Sequence, residues 1–258
     1  MSIKFGSTSI KDLYVGSTKL KEVYFGSTKV YSALSIPIPI PIPQDMDFIY
    51  QAKDLNGSKI PNKAPNSTFG DYLVSGTLTS EGSGANTYLA NMNQFNSFLY
   101  KDLTTDQLNN MKAISSTYTF FIRCMQTNGD TDIGGILSWR YNKGGNDTYI
   151  YMIRAYQQQL QIHTDTGHQC GSNFSLTTDR IYKVIVSGSS FMAYNLDNNA
   201  EYSLTYSTDR NMGSQMRTFW AGIGEYNLTK FYALAGIPRA TTASEDAIIK
   251  QVLMNQSA

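Results

Sequence analysis

Splitting a glycosidic bond takes two carboxylates facing one cleft, which on a β-strand means Asp or Glu at i and i+2 or i+4. The chain offers few such pairs. Asp130 and Asp132 fall in a Gly-rich turn, Glu245 and Asp246 open a helical pattern, and Glu201 and Glu225 have no carboxylate neighbour at strand spacing. No Gly-x-Ser-x-Gly elbow, HExxH helix or phosphate loop occurs, and Gly134-Gly135 and Gly144-Gly145 read as turn glycines. The expectation is a chain with no catalytic residues that is not an enzyme. Residues that could hold a sugar are easier to find, because stacking needs an aromatic plane and hydroxyls need Asn, Asp or Arg. Trp139, Tyr141, Asn142, Asp147, Tyr149 and Arg154 sit near expected strand ends. Each also fits the plainer role of a residue at the edge of a core. Asp130 and Asp132 are weak candidates for Ca²⁺, since an Asp-rich turn also forms for local hydrogen-bonding reasons; otherwise no metal and no cofactor are expected. Cys124 and Cys170 form no CxxC, and only His163 and His168 could join them in a zinc site. Two buried free thiols are the expectation, a disulfide the alternative.

The elements that must position these groups are strands. In 258 residues, 41% are apolar and 12% aromatic, enough for a sizeable core, while 16% are charged and the formal net charge is +1. That balance gives no electrostatic footprint for nucleic acid. No apolar run is long enough to span a membrane and no signal pattern opens the chain, so synthesis in a cytoplasm is expected. Twenty Gly and eighteen Tyr suit many turns between aromatic-rich strands.

The first 35 residues are a repeat. Gly6-Ser7-Thr8, Gly16-Ser17-Thr18 and Gly26-Ser27-Thr28 recur every ten residues. Gly-Ser suits a two-residue hairpin turn, Gly taking the positive-φ first position. The expectation is a four-stranded antiparallel meander (3–5, 8–15, 18–25, 28–33) whose register sets Lys11 opposite Glu22, Asp12 opposite Lys21 and Leu13 opposite Leu20. Neither face is simply polar, and so small a sheet cannot bury two apolar faces alone. Phe5, Tyr14, Val23, Phe25 and Tyr31 are therefore candidate contacts to a larger assembly or to other copies. Residues 36–43 alternate Ile and Pro, which enforces an extended polyproline rod. Ile36, Ile38, Ile40 and Ile42 would be buried by bundling with other copies, a homotrimer first and a dimer second.

Residues 44–258 read as one β-sandwich with a short terminal helix. Alternating segments at 117–125, 135–141, 148–156, 159–164, 181–187, 191–196, 218–223 and 231–236 are separated by polar turns, as in a two-sheet jelly roll. Thr242 and Glu245 make a capping box, followed by an approximate helical apolar stripe of Ala247, Ile248, Gln251, Val252 and Leu253. A second helix fits 104–111, capped by Thr104 or Thr105.

The order of "DFIYQAKDLNGSKIPNKAP", "TYTFFIRCM", "GGILSWR", "YKVIVSGSSFMAYN" and the closing "AGIGEYNLTKFYALAGIPRATTASEDAIIKQVL" resembles a concanavalin A-like lectin/glucanase domain of the laminin-G-like sort. The resemblance covers most of 46–256. It implies a two-sheet sandwich, sugar binding, and in its glucanases a Glu-x-Asp-x-Glu strand that is absent here. The N-terminal repeat resembles the Gly-turn β-repeats heading many bacteriophage virion proteins, including fibres and appendages of phages that infect gut Bacteroidetes. Together the parts imply a structural virion protein made in the host bacterial cytoplasm. It would be displayed on the virion surface as a head or tail fibre, docked on capsid or tail proteins and facing host-surface or environmental glycans. A free-standing carbohydrate-binding module is the alternative, and a glycan hydrolase the third class.

Overall fold

A computed structural model describes residues 4–5, 8–9, 14–15, 18–19, 22–25, 28–32, 42–90, 92, 96–112, 117–126, 133–143, 146–163, 167–205, 214–218 and 229–256. Of these, the residues before 42 and those at 112, 133–134, 140–143, 146–152, 163, 167 and 229 are described by their backbone alone. The chain divides into two units, Met1–Pro41 and Ile42–Ala258.

The first unit is made of hairpins. Strands β1 (Lys4–Phe5) and β2 (Thr8–Ser9) pair, as do β3 (Tyr14–Val15) with β4 (Thr18–Lys19) and β5 (Glu22–Phe25) with β6 (Thr28–Ser32). Phe5 faces Thr8, Val15 faces Thr18 and Phe25 faces Thr28, so the strands pair directly on either side of each Gly-Ser, the register that a two-residue hairpin turn requires. The described ladders are three two-stranded sheets, and residues 10–13 and 20–21, which the expected four-stranded meander would use to join them, lie outside the described residues. A bulge between Val23 and Tyr24 shifts the third register, so Val23 faces Tyr31 and Glu22 faces Ser32. Lys11, Asp12, Leu13, Leu20 and Lys21 lie outside the described residues, and with them the expected cross-strand pairs.

The second unit is a sandwich of two antiparallel sheets, eight strands each among the described residues. Its strands are β7 (Phe48–Gln51), β8 (Lys59–Ile60), β9 (Tyr72–Ser75), β10 (Thr79–Glu81), β11 (Tyr88–Ala90), β12 (Phe98–Asp102), β13 (Thr117–Gln126), β14 (Ile133–Lys143), β15 (Asn146–Tyr156), β16 (Gln159–His163), β17 (Gly167–Gln169), β18 (Arg180–Ser187), β19 (Ser190–Asn195), β20 (Ala200–Thr205), β21 (Gln215–Thr218) and β22 (Thr229–Ile237). Helix α1 (Thr105–Lys112) follows β12 and α2 (Ala243–Asn255) follows β22. One sheet runs β10-β11-β22-β13-β18-β19-β20, with β7 also on β22; the other runs β17-β16-β15-β14-β21-β12-β9-β8. The last strand thus lies between β13 and the first strand of the unit, which ties both ends of the sandwich into one sheet.

Alternation decides which side chains enter the core. On β13, Tyr118, Phe120, Ile122 and Cys124 point between the sheets, where they meet Tyr50, Trp139, Ile153, Leu160, Ile162, Val184 and Phe191. Phe48 is fully buried against Tyr50 and Phe69, with ring centroids 5.2 and 5.0 Å apart. Its cross-strand partner is Gly236, where a Cβ would lie 2.3 Å from Phe48 Cζ, so the ring occupies the space that a side chain would take.

The other face of β13 carries Thr119, Phe121 and Arg123, covered by α2 through Ile249, Val252 and Leu253. The Thr242–Glu245 capping box forms. It sets the helix phase so that the buried stripe contains Ile249, whereas the expected Ala247 is exposed and Ile248 only half-buried. Helix α1 carries a matching box, Thr104 N–H donating to Gln107 Oε1 and Gln107 N–H to Thr104 Oγ1. Arg123 is 1% exposed. Its Nη1 donates to the carbonyls of Ala85, Leu253 and Met254, its Nη2 reaches Asp179 at 2.5 Å, and its guanidinium lies 4.5 Å from the Tyr232 ring centroid. Gln256, at a left-handed φ of 45°, donates Nε2 to Ala85 O and Thr87 O, completing the helix C-terminus. Cys124 and Cys170 are buried free thiols, and burial pushes the Cys170 thiol up to about 12.

Candidate functional site

The sugar-binding candidates all fall on the β14–β15 hairpin, in the middle of the second sheet. Its backbone register sets Asn142 opposite Asp147, Tyr141 opposite Thr148 and Tyr149 opposite Arg140. Tyr141, Asn142, Asp147 and Tyr149 are thus close neighbours in the ladder; their side chains lie outside the described ones. Trp139 is a correction. It is 1% exposed, packs edge-on to Phe120 at 5.5 Å, and keeps its indole Nε1 inside the core with no hydrogen-bond partner among the described residues, so its plane is not offered to a sugar. The inward phase follows from β21, where Met216, opposite Trp139, also enters the core.

Arg154 points the other way. It lies on the outer face of the second sheet, directly across from Gln161 on β16, which in turn faces Gln169 on β17. Arg154 Nε donates to Gln161 Oε1. Two residues on along β15, and so on the same face, the Tyr156 ring lies 5.7 Å from the guanidinium carbon. Gln169 Nε2 donates to Gln157 Oε1 at 3.0 Å, across the two-residue turn Gln157–Gln158 that joins β15 to β16. Both turn residues hold left-handed φ values, 50° and 58°, as a type I′ hairpin demands. Burial lowers the Arg154 guanidinium from its ordinary range, an effect that Tyr156 opposes.

A second cluster shares this outer face. On β21, Arg217 is placed over the Phe98 ring at 4.1 Å, and Arg217 Nε donates to Gln215 Oε1. Gln215 Nε2 donates to Asp102 Oδ1 at 2.7 Å, and Tyr100 meets Phe98 edge-on at 5.9 Å. Tyr100 is the cross-strand partner of Arg217, which also faces Ser138 on β14. From β17 to β12 this face crosses six neighbouring strands, about 24 Å at the usual spacing between strands. On this face Gln161, Arg217, Phe98 and Ser138 are buried, while Arg154, Tyr156, Tyr100 and Gln215 are half-buried and Gln169 is exposed; those accessible groups can hydrogen-bond hydroxyls and stack on a sugar ring.

Composition and strand-end position do not single out Tyr156, Gln161, Gln169, Phe98, Tyr100, Gln215 or Arg217. The alternation of Gln159-Leu160-Gln161-Ile162 does carry a signal, with Leu160 and Ile162 buried and the glutamines on the other face. β12 and β21 are too short to show a period. Asp130 and Asp132 lie outside the described residues, and among the described residues no group of three His, Cys, Asp or Glu could hold a metal ion. Of the expected docking residues, Phe5, Tyr14, Val23, Phe25 and Tyr31 fall in the N-terminal strands, described by backbone alone. Ile36, Ile38 and Ile40 lie outside the described residues, and Ile42 begins the second unit. Among the described residues no helix is long and apolar enough to cross a membrane.

No family model and no curated protein matches this sequence. Its fold does recur among solved structures. Trypanosoma rangeli sialidase in complex with sialic acid matches with a TM-score of 0.55 and 10% identity over 92% of this chain and 36% of the sialidase chain. The botulinum neurotoxin serotype C1 binding domain matches with a TM-score of 0.56 and 9% identity, covering 81% of this chain and 52% of that one. A structure described as a receptor binding domain gives 0.57 and 10% over 81% and 51%. The chain therefore spans about a third of the sialidase and about half of the binding domains, and at this identity the likeness is one of fold. It corrects one expectation. A missing Glu-x-Asp-x-Glu strand would make the chain a non-enzyme, but the same fold occurs in a sialidase chain, so that argument does not stand.

Proposed function

We propose that this chain is an attachment protein. Its sandwich binds glycans on the outer face of the second sheet, and residues 1–35 dock it on capsid or tail proteins at the surface of a phage virion, as a homotrimer. The observation that carries the glycan reading is the outer-face row Arg154–Gln161–Gln169 with Tyr156, in which the buried Gln161 holds a half-buried Arg154 beside the exposed Gln169, joined on the same sheet by the half-buried Tyr100. Chains described as a neurotoxin binding domain, a receptor binding domain and a sialidase with sialic acid share the fold, which supports recognition of cell-surface sugars. The virion part rests on the ten-residue Gly-Ser-Thr repeat and its hairpins, followed by the Ile-Pro segment.

Affinity electrophoresis of the full chain through gels holding a panel of neutral and acidic polysaccharides tests the binding. Tyr100→Ala and Tyr156→Ala should each weaken retardation, by about 2- to 10-fold if a ring stacks on the sugar. Absence of retardation by every polymer, or retardation unchanged in both variants, refutes the site. Released reducing sugar in matching incubations reports any turnover. For docking, deletion of residues 1–35 should leave a folded sandwich and remove the protein from purified particles, and sedimentation should give a trimer. Incorporation of the truncated protein at the wild-type level would put the docking element in the sandwich.

A further inference from the structure

Arg123 and Arg239, on the other sheet and in the loop before α2, each sit on carboxylate oxygens of the chain itself, Asp179 in one case and Asp45 with Glu245 in the other. Arg154 does not. Its Nε is engaged by the Gln161 amide, and among the described residues no group accepts from its Nη1 or Nη2 and no carboxylate pairs with it. The bond at Nε matters, because it removes the rotation that an exposed arginine normally keeps and aims the planar fork in one direction. Gln161, which holds it, is only 4% exposed. The flank toward β14 is Gly135, which puts no side chain beside the guanidinium. Around the fork lie Tyr156 in the same strand, Gln159 opposite Tyr156, and Gln169 beyond Gln161. A fixed guanidinium fork matches a carboxylate through two parallel hydrogen bonds, and the amides and phenol ring beside it match hydroxyls and a ring face.

We infer that the ligand of this face is a carboxylate-bearing sugar whose carboxylate is held by the terminal nitrogens of Arg154. The inference rests on the glycan-binding reading above and narrows it to acidic glycans. With a formal net charge of only +1, the chain has no general attraction for polyanions, so the selectivity is local to this side chain. The half-buried position lowers the Arg154 guanidinium from its usual range, as expected for a cation that has no counter-ion among the described residues.

The test compares polygalacturonate, alginate, hyaluronate and polysialic acid with methyl-esterified polygalacturonate, neutral dextran and dextran sulfate, using the full chain. At least one carboxylated polymer should bind about tenfold or more tighter than the ester and dextran, the worth of a charged bidentate contact. Arg154→Gln should abolish that difference, and Arg154→Lys should restore it only in part. A melting temperature for each variant separates lost recognition from lost folding. If neutral polymers bind as tightly as the acids, or if folded Arg154→Gln keeps the preference, the inference falls and the glycan reading survives. Tighter binding of dextran sulfate than of every carboxylated polymer also overturns it, since the fork then reads charge alone. If nothing binds, both readings fall.

Discussion

Replacing Arg123 by leucine removes the cation that joins β13 to the end of α2, and its effect can be worked from the contacts. The guanidinium supplies three carbonyls, those of Ala85, Leu253 and Met254, at 2.6, 3.0 and 2.9 Å, and pairs with Asp179 at 2.5 Å. Each carbonyl left dry costs about 1–3 kcal/mol, about 3–9 kcal/mol for the three, a range that overlaps and extends beyond the about 3–5 kcal/mol typical of breaking a buried ion pair. Asp179 is 25% exposed, so water can return to it, and the last turn of α2 can loosen; the expected loss is therefore about 3–5 kcal/mol. In a sandwich of this size each kcal/mol moves the melting temperature by about 2–4 °C, a drop of about 6–20 °C. Urea unfolding followed by circular dichroism gives the free energy, and amide exchange along Ala243–Asn255 shows whether α2 is where protection is lost first. Arg123→Lys should fall between wild type and Arg123→Leu, because one ammonium cannot serve both the carbonyls and Asp179 with the geometry of the fork. A leucine variant within about 1 kcal/mol of wild type, with α2 exchange unchanged, refutes the argument.

Gly236→Ala should destabilise by about 1–3 kcal/mol because its methyl would meet the buried Phe48 ring at 2.3 Å, and Phe48→Leu should recover part of the loss in the double variant; additive effects would speak against the contact. Glu245, held down to about 2 first by the Arg239 guanidinium and then by the Thr242 N–H, gives stability that is present above its ordinary value of 4.5 and is lost as the pH falls toward 2. Glu245→Gln should remove that part of the acid limb in melts taken across this window, and an unchanged limb would refute it. Burial raises both thiols, so Cys124 and Cys170 should resist iodoacetamide at pH 8 in the native protein and react in urea; rapid native labelling would contradict their place in the core.

Much of the fold was legible because its signals are local. The 117–125 segment of the sequence is β13 with one residue added, and 181–187 and 231–236 are β18 and β22 with their ends extended. Thr242 with Glu245 placed the start of α2, and Thr104 that of α1. Strands β7 to β12 were not legible. They are short, and β7 is buried on both faces, so it lacks the alternation that betrays a half-exposed strand. Of the expected 218–223 segment only Thr218 is described, in β21, and 219–223 lie outside the described residues.

By itself the sequence determined the Gly-Ser hairpins, the all-β class, the caps of both helices and the candidate status of Arg154, because each depends on residues within a few positions of one another. Tertiary structure alone decided that Trp139 turns inward while Arg154 turns outward, that Gly236 makes room for Phe48, and that Arg123 reaches a helix end more than a hundred residues away. These facts depend on which strands become neighbours. Register and bulges set that partnership across the whole sandwich, and a shift of one residue exchanges the face that meets the core for the face that meets a ligand.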